Sequence, residues 1–125
     1  MQFGEFNIDP STVPEPPQVP LGQDLTFEVV AVQRKEYTTD EGRNGTRIEL
    51  QLQCIDVPGA TVFHSFFPPR YRSGSAHKNW YSFLLLLGHD IHAQAESVVR
   101  SRFRARAERD VNDYVHLAKI LGLAQ

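Results

Sequence analysis

One cysteine, Cys54, stands among 125 residues. It cannot close an internal disulfide, and with no CxxC pair or Cys/His cluster the chain offers no zinc site, so a reducing, cytoplasmic compartment is expected. No apolar run is long enough to span a bilayer and the first thirty residues carry no basic segment, so neither a membrane anchor nor a secretion signal is expected. Nucleophile-elbow, phosphate-loop, GxGxxG and HExxH patterns are all missing, which argues against an enzyme and against a bound cofactor. His89, Asp90 and His92 lie close together, but two histidines spaced i, i+3 without a third ligand do not make a metal site. Asn44-Gly45-Thr46 fits the glycosylation sequon, yet in a chain without a secretion signal it reads as a turn.

Charge of one sign is missing from two long stretches. Residues 1–33 hold five acids and no base, and residues 57–89 hold no carboxylate at all, although Arg70, Arg72, Lys78 and three histidines fall there. Residues 34–109 carry twelve bases against eight acids. A formal net charge of -2 therefore hides a basic body and an acidic arm, and local charge is what an anionic partner meets.

Five of the eight prolines lie in residues 1–20, which show no apolar periodicity; an extended N-terminal arm is expected there, followed by one folded domain over 21–125. LTFEVVAVQRKEY (25–37) is rich in β-branched and aromatic residues and alternates Leu25, Phe27, Val29 and Ala31 on one face: a strand. After a turn-rich loop ending in Asn44-Gly45, TRIELQLQCID (46–56) alternates Ile48, Leu50, Leu52 and Cys54 against Arg47, Glu49, Gln51 and Gln53, completing a hairpin. TVFHSFF (61–67) predicts a third strand, halted by Pro68-Pro69. WYSFLLLLG then places Trp80, Phe83, Leu84 and Leu87 at helical spacing, with Ser75 as N-cap and Gly88 as terminator.

The tail is ambiguous. RSRFRARAER (100–109) alternates arginine with Phe103, Ala105 and Ala107, as a strand with a basic face would, and a last strand follows a turn at Asn112-Asp113. Ala95, Val99, Phe103, Ala107 and Val111 also recur every four residues, as in a helix. The strand reading accounts for the arginines and is the one adopted.

The resulting order, three strands, a helix and two strands, is that of an OB-fold: an all-β, five-stranded antiparallel Greek-key barrel with its helix between strands 3 and 4. The opening LGQDLTFEVVAV, the hairpin into RIELQLQ, then FHSFF, W…FLLLLG and FRARAERD resemble the OB-fold single-stranded DNA-binding proteins of bacteriophages over roughly Leu21 to Leu121. That resemblance implies a non-enzymatic protein that coats single-stranded DNA in replication or recombination. Replication or recombination proteins, and further copies of the chain, are the partners expected beside the DNA. The glycine-rich linker and acidic C-terminal tip of the bacterial relatives are lacking, and the acidic segment sits at the N-terminus instead.

Single strands are held by cations along the phosphates and by aromatic rings under the bases. The candidates are Arg34, Lys35, Tyr37 and Arg43 at the first hairpin; Arg70, Tyr71, Arg72 and Lys78 before the helix; Arg102, Arg104 and Arg106 in the tail; and Arg47 on the second strand, with His64 or Phe66 on the outer face of the third. Trp80 belongs to the core. Glu5, Asp9 and Glu15, with Phe3 and Phe6, form an arm able to compete for a basic groove. A protein-binding β-barrel, such as a virion or assembly component that uses this arm, is the alternative.

Overall fold

The computed structural model describes residues 15–124. Five antiparallel strands, β1 (Asp24–Thr38), β2 (Asn44–Cys54), β3 (Thr61–Phe66), β4 (Arg102–Arg109) and β5 (Val115–Leu123), form one sheet in the order β3-β2-β1-β4-β5. A short helix, α1 (Trp80–Leu86), and a single 3-10 turn, Ala95–Val98, connect β3 to β4. The tail is therefore a strand, and the four-residue repeat that competed with it corresponds only to the 3-10 turn. No helix among the described residues is long and apolar enough to cross a membrane.

Phe27, Phe66, Phe83 and Phe103 are fully buried on the inner side of the sheet. Phe83 of α1 bridges the sheet, its ring 5.1 Å from Phe66 and 5.3 Å from Phe103. Trp80 packs on Phe66 at 5.2 Å, as its spacing predicts. Burying each of these rings contributes about 1.5–3 kcal/mol, which is what a seven-residue helix needs, since alone it would not form. Cys54 is a buried free thiol that packs as a small apolar group.

Asn79, not Ser75, caps α1: its side-chain oxygen accepts from the Ser82 N–H at 3.1 Å, and its amide donates to the Tyr71 carbonyl at 2.8 Å. One buried side chain thus starts the helix and ties down the loop before it. Gly88, at φ +88°, ends the helix, with the His89 N–H returning to the Leu84 carbonyl.

Three positions differ from the simple alternation. A bulge shifts the β1–β2 register between Val29 and Ala31, so Ala31 turns outward and Val32 packs inward. Val29, Val30, Ala31 and Val32 are all apolar, so the sequence carried no mark of that change. The hairpin turns at residues 39–42, where the Gly42 N–H donates to the Thr39 carbonyl, and Gly45 lies inside β2. Val19, in the proline-rich segment, is buried in the core, and Pro17 lies against Gly59, so the last residues of that segment pack on the body.

The two edge strands meet without a backbone ladder between them. His64 on β3 is their link: its Nδ1 accepts from the Leu117 N–H of β5 at 3.2 Å, and its Nε2 donates to the His77 carbonyl at 2.6 Å. Burial, outweighing the His77 hydrogen bond and reinforced by nearby His116 and His77, lowers its pKa to about 4. The neutral tautomer is the one that serves both partners.

Candidate nucleic-acid interface

The β1 bulge assembles this face. Beyond it, Ala31, Gln33, Lys35 and Tyr37 point outward and pair with Gln51, Glu49, Arg47 and Gly45 of β2. Across β2, Gln51 faces Phe63 of β3 and Glu49 faces Ser65. The outer surface of β3 is therefore Phe63 and Ser65, with Phe67 just past the strand end; the two phenylalanines are 53% and 52% exposed. Half-exposed rings with one free face are surfaces on which a base can stack.

Tyr37 lies edge-on to Phe67, ring centres 5.1 Å apart. Its place depends on Gly45, because a Cβ there would come within 2.5 Å of the tyrosine Cζ and Oη. Gly45→Ala should displace the Tyr37 ring at little cost in stability, since the ring is only partly buried. Titration of a labelled oligonucleotide should then show a several-fold loss of affinity, close to one stacking contact.

Two depressions flank β3. A groove of about 790 Å³ runs from Arg47, Glu49 and Phe63 to Tyr114 and His116. A cavity of about 690 Å³ lies toward the loop 67–79, lined by Tyr71, Arg70 and Lys78. Both are bordered by Ser65, Phe67 and His116, so they adjoin across the β3–β5 seam. Tyr71 and Tyr114 are strongly exposed on either side. The Tyr114 turn is held by Asp110, whose Oδ1 accepts from the N–H groups of Asn112 and Tyr114.

Electrostatically the face centres on Glu49. Lys35 Nζ lies 2.8 Å from one carboxylate oxygen and Arg47 Nη1 3.1 Å from the other, while Arg47 also donates to Ser65. The Lys35 hydrogen bond, with Arg47 adding to it against the effect of burial, holds the Glu49 carboxyl below its ordinary pKa. Arg70 and Lys78 have no carboxylate partner among the described residues and border the cavity as free cations.

The candidates named from sequence divide accordingly. Lys35, Tyr37, Arg47, Arg70, Tyr71 and Lys78 come together on this side of the sheet. Arg34 points the other way, toward Ile48, Phe66 and Trp80. Arg43, in the hairpin loop, lies 3.8 Å from Glu41, and Arg72 is exposed but lines neither depression. Phe66 and His64 are not on the outer face at all: both are buried, because the inward set of β3 is Val62, His64 and Phe66. A one-residue change of register moves every side chain to the opposite face, and here it exchanges Phe66 for Phe63 and Phe67.

The arginine ladder of β4 does alternate outward, but it is largely neutralised by β1. Arg102 Nε meets Glu28 at 2.8 Å, Arg106 meets Asp24 at 2.8 Å, and Arg104 reaches the Asp24 carbonyl at 3.3 Å. Phe63, Phe67, Tyr114 and Glu49 were absent from the sequence candidates. The sign available was Ser65 between two phenylalanines: the set Thr61, Phe63, Ser65 is the more polar of the two phases of β3. No known protein family, curated protein or solved structure matches the chain.

Proposed function

We propose that the chain is a non-enzymatic single-stranded DNA-binding protein with an OB-type barrel. On this reading it coats single strands without strong sequence preference during bacteriophage replication or recombination. The observation that carries the reading is the aromatic face: Phe63 on β3 and Phe67 just past its end, both half exposed, with Tyr37, Tyr71 and Tyr114 around them and cations at the margin. Large rings gathered on one exposed side mark a binding surface, and cations at its margin suit bases stacked on the rings beside their phosphates. The strand order supports the fold assignment. A central β1 paired with both β2 and β4 leaves β3 and β5 as the edges that an OB barrel brings together, and His64 already links them.

Binding on this reading combines stacking on β3 with phosphate contacts from Arg70, Lys78 and the loop 67–79. Log affinity should fall linearly with log salt, with a slope near -0.7 per phosphate contacted. Arg70→Ala and Lys78→Ala should each reduce the magnitude of that slope by about 0.7. The double variant Arg102→Ala/Arg106→Ala, whose cations are held by Glu28 and Asp24, should leave it nearly unchanged. The opposite pattern in oligonucleotide titrations at several salt concentrations would move the DNA path to β4.

A further inference from the structure

A carboxylate in the middle of a surface for a polyanion needs a reason. Glu49 stands there with its side chain only 14% exposed, directly across from Ser65 and between the outward rings of Phe63 and Phe67 in register. Those rings lie four positions apart, about 13 Å along an extended chain. A base stacked on either ring can turn its edge toward the polar side chains between them. A carboxylate has about four lone-pair positions on its two oxygens. Lys35 takes one acceptor position on one oxygen and Arg47 one on the other, so by count each oxygen keeps one acceptor position.

We propose that Glu49 reads the base edge at this interface, making it prefer guanine at one nucleotide position of an otherwise unspecific site. The inference rests on the single-strand reading above. Guanine is the base that presents a ring N–H and an exocyclic amino N–H side by side, matching two carboxylate oxygens. Cytosine and adenine present one amino group next to a ring nitrogen acceptor, which faces the carboxylate unfavourably. Thymine presents a single ring N–H between two carbonyl oxygens and is the poorest match. Lys35 and Arg47 serve to keep the carboxylate charged and fixed, as Ser65 fixes Arg47 in turn. A carboxylate is held away from phosphates here by being placed where a base, not the backbone, would lie.

The test is fluorescence anisotropy at low salt with dye-labelled oligo(dT) of about 12 nucleotides, within the footprint of one such fold, and the same oligonucleotide carrying one central dG or one central deoxyinosine. The wild-type chain should bind the dG oligonucleotide about tenfold more tightly than oligo(dT), within the range for a bidentate base contact. Deoxyinosine, which keeps the purine stack but lacks the exocyclic amino group, should fall between. Glu49→Gln should bring the dG-to-dT ratio close to one and tighten binding of oligo(dT), because a negative charge leaves the face; Glu49→Ala should do the same. A ratio near one in the wild type overturns the proposal, and so does a ratio that survives in both variants, since stacking strength alone would then account for it. Failure to bind any of the three oligonucleotides would instead remove the single-strand reading itself, and the role of Glu49 with it.

Discussion

Replacing Phe63 and Phe67 together by alanine should weaken binding to a single-stranded oligonucleotide by at least about 30-fold while leaving the fold intact. Each base–ring stack contributes roughly 1–3 kcal/mol, and every 1.4 kcal/mol is about a tenfold change in affinity. Neither ring supports the core: each is more than half exposed, and the residues between and beside them, His64 and Phe66, do the packing. The control is the neighbour. Phe66→Ala removes a ring that touches Trp80, Phe83 and His64 and should cost about 3–5 kcal/mol of stability. Urea denaturation beside an anisotropy titration separates the two roles. Loss of stability in the Phe63/Phe67 variant, with binding unchanged in the fraction still folded, would show that those rings are structural and that bases stack elsewhere.

Acid should loosen the seam between β3 and β5. His64 is neutral and buried in the folded chain with a pKa near 4, against an ordinary value of 6.5, so the unfolded chain takes up the proton first as pH falls. The folded state has its full stability above pH 6.5, loses it as pH drops, and levels off below about pH 4. From pH 7 to pH 5 the expected loss is about 2 kcal/mol, and over the whole window about 3 kcal/mol. His77, lowered by burial and by Lys78, acts in the same direction. Glu49, whose carboxyl is lowered, acts at more acid pH, because its contribution disappears only as pH falls through its depressed value. Protonated His64 also lacks the lone pair that accepts from Leu117, so the seam itself is what gives. Denaturant midpoints at pH 7 and pH 5 measure the effect, and His64→Gln should be less stable at pH 7 yet lose most of the pH dependence. Equal midpoints for the wild type at the two pH values would contradict this account of His64.

The strands were readable because each carries its own alternation. Leu50, Leu52 and Cys54 inward against Gln51 and Gln53 outward is unambiguous, and Phe103, Ala105 and Ala107 inward is equally plain once a strand is chosen. The site was harder to read for three physical reasons. The bulge falls in a run of four apolar residues, so nothing in the letters marks the flip that brings Lys35 and Tyr37 beside Arg47. In TVFHSFF both phases contain phenylalanine, and only the burial of His64 between Leu117 and His77 decides which one faces in. The arginines of β4 are conspicuous in sequence, yet their carboxylate partners, Asp24 and Glu28, lie 82 and 74 positions away, where composition cannot pair them. Regular alternation reports which side of a strand is wet; it does not report what the opposite strand brings to that side.

The basic stretch that draws the eye is therefore a paired, strand-to-strand surface, and the case for nucleic acid rests on rings three strands away in the sheet order. Trp80 is buried against Phe66 and Phe83, so its fluorescence reports the fold better than it reports a ligand. The direct measurement is anisotropy of a dye-labelled oligo(dT) titrated with the chain at two salt concentrations, beside a duplex of the same length. Saturable binding of the single strand is expected, weaker at the higher salt, and clearly tighter than binding of the duplex, whose bases are not free to stack on Phe63 and Phe67. No binding of the single strand at low salt, or equal affinity for single strand and duplex, would contradict it.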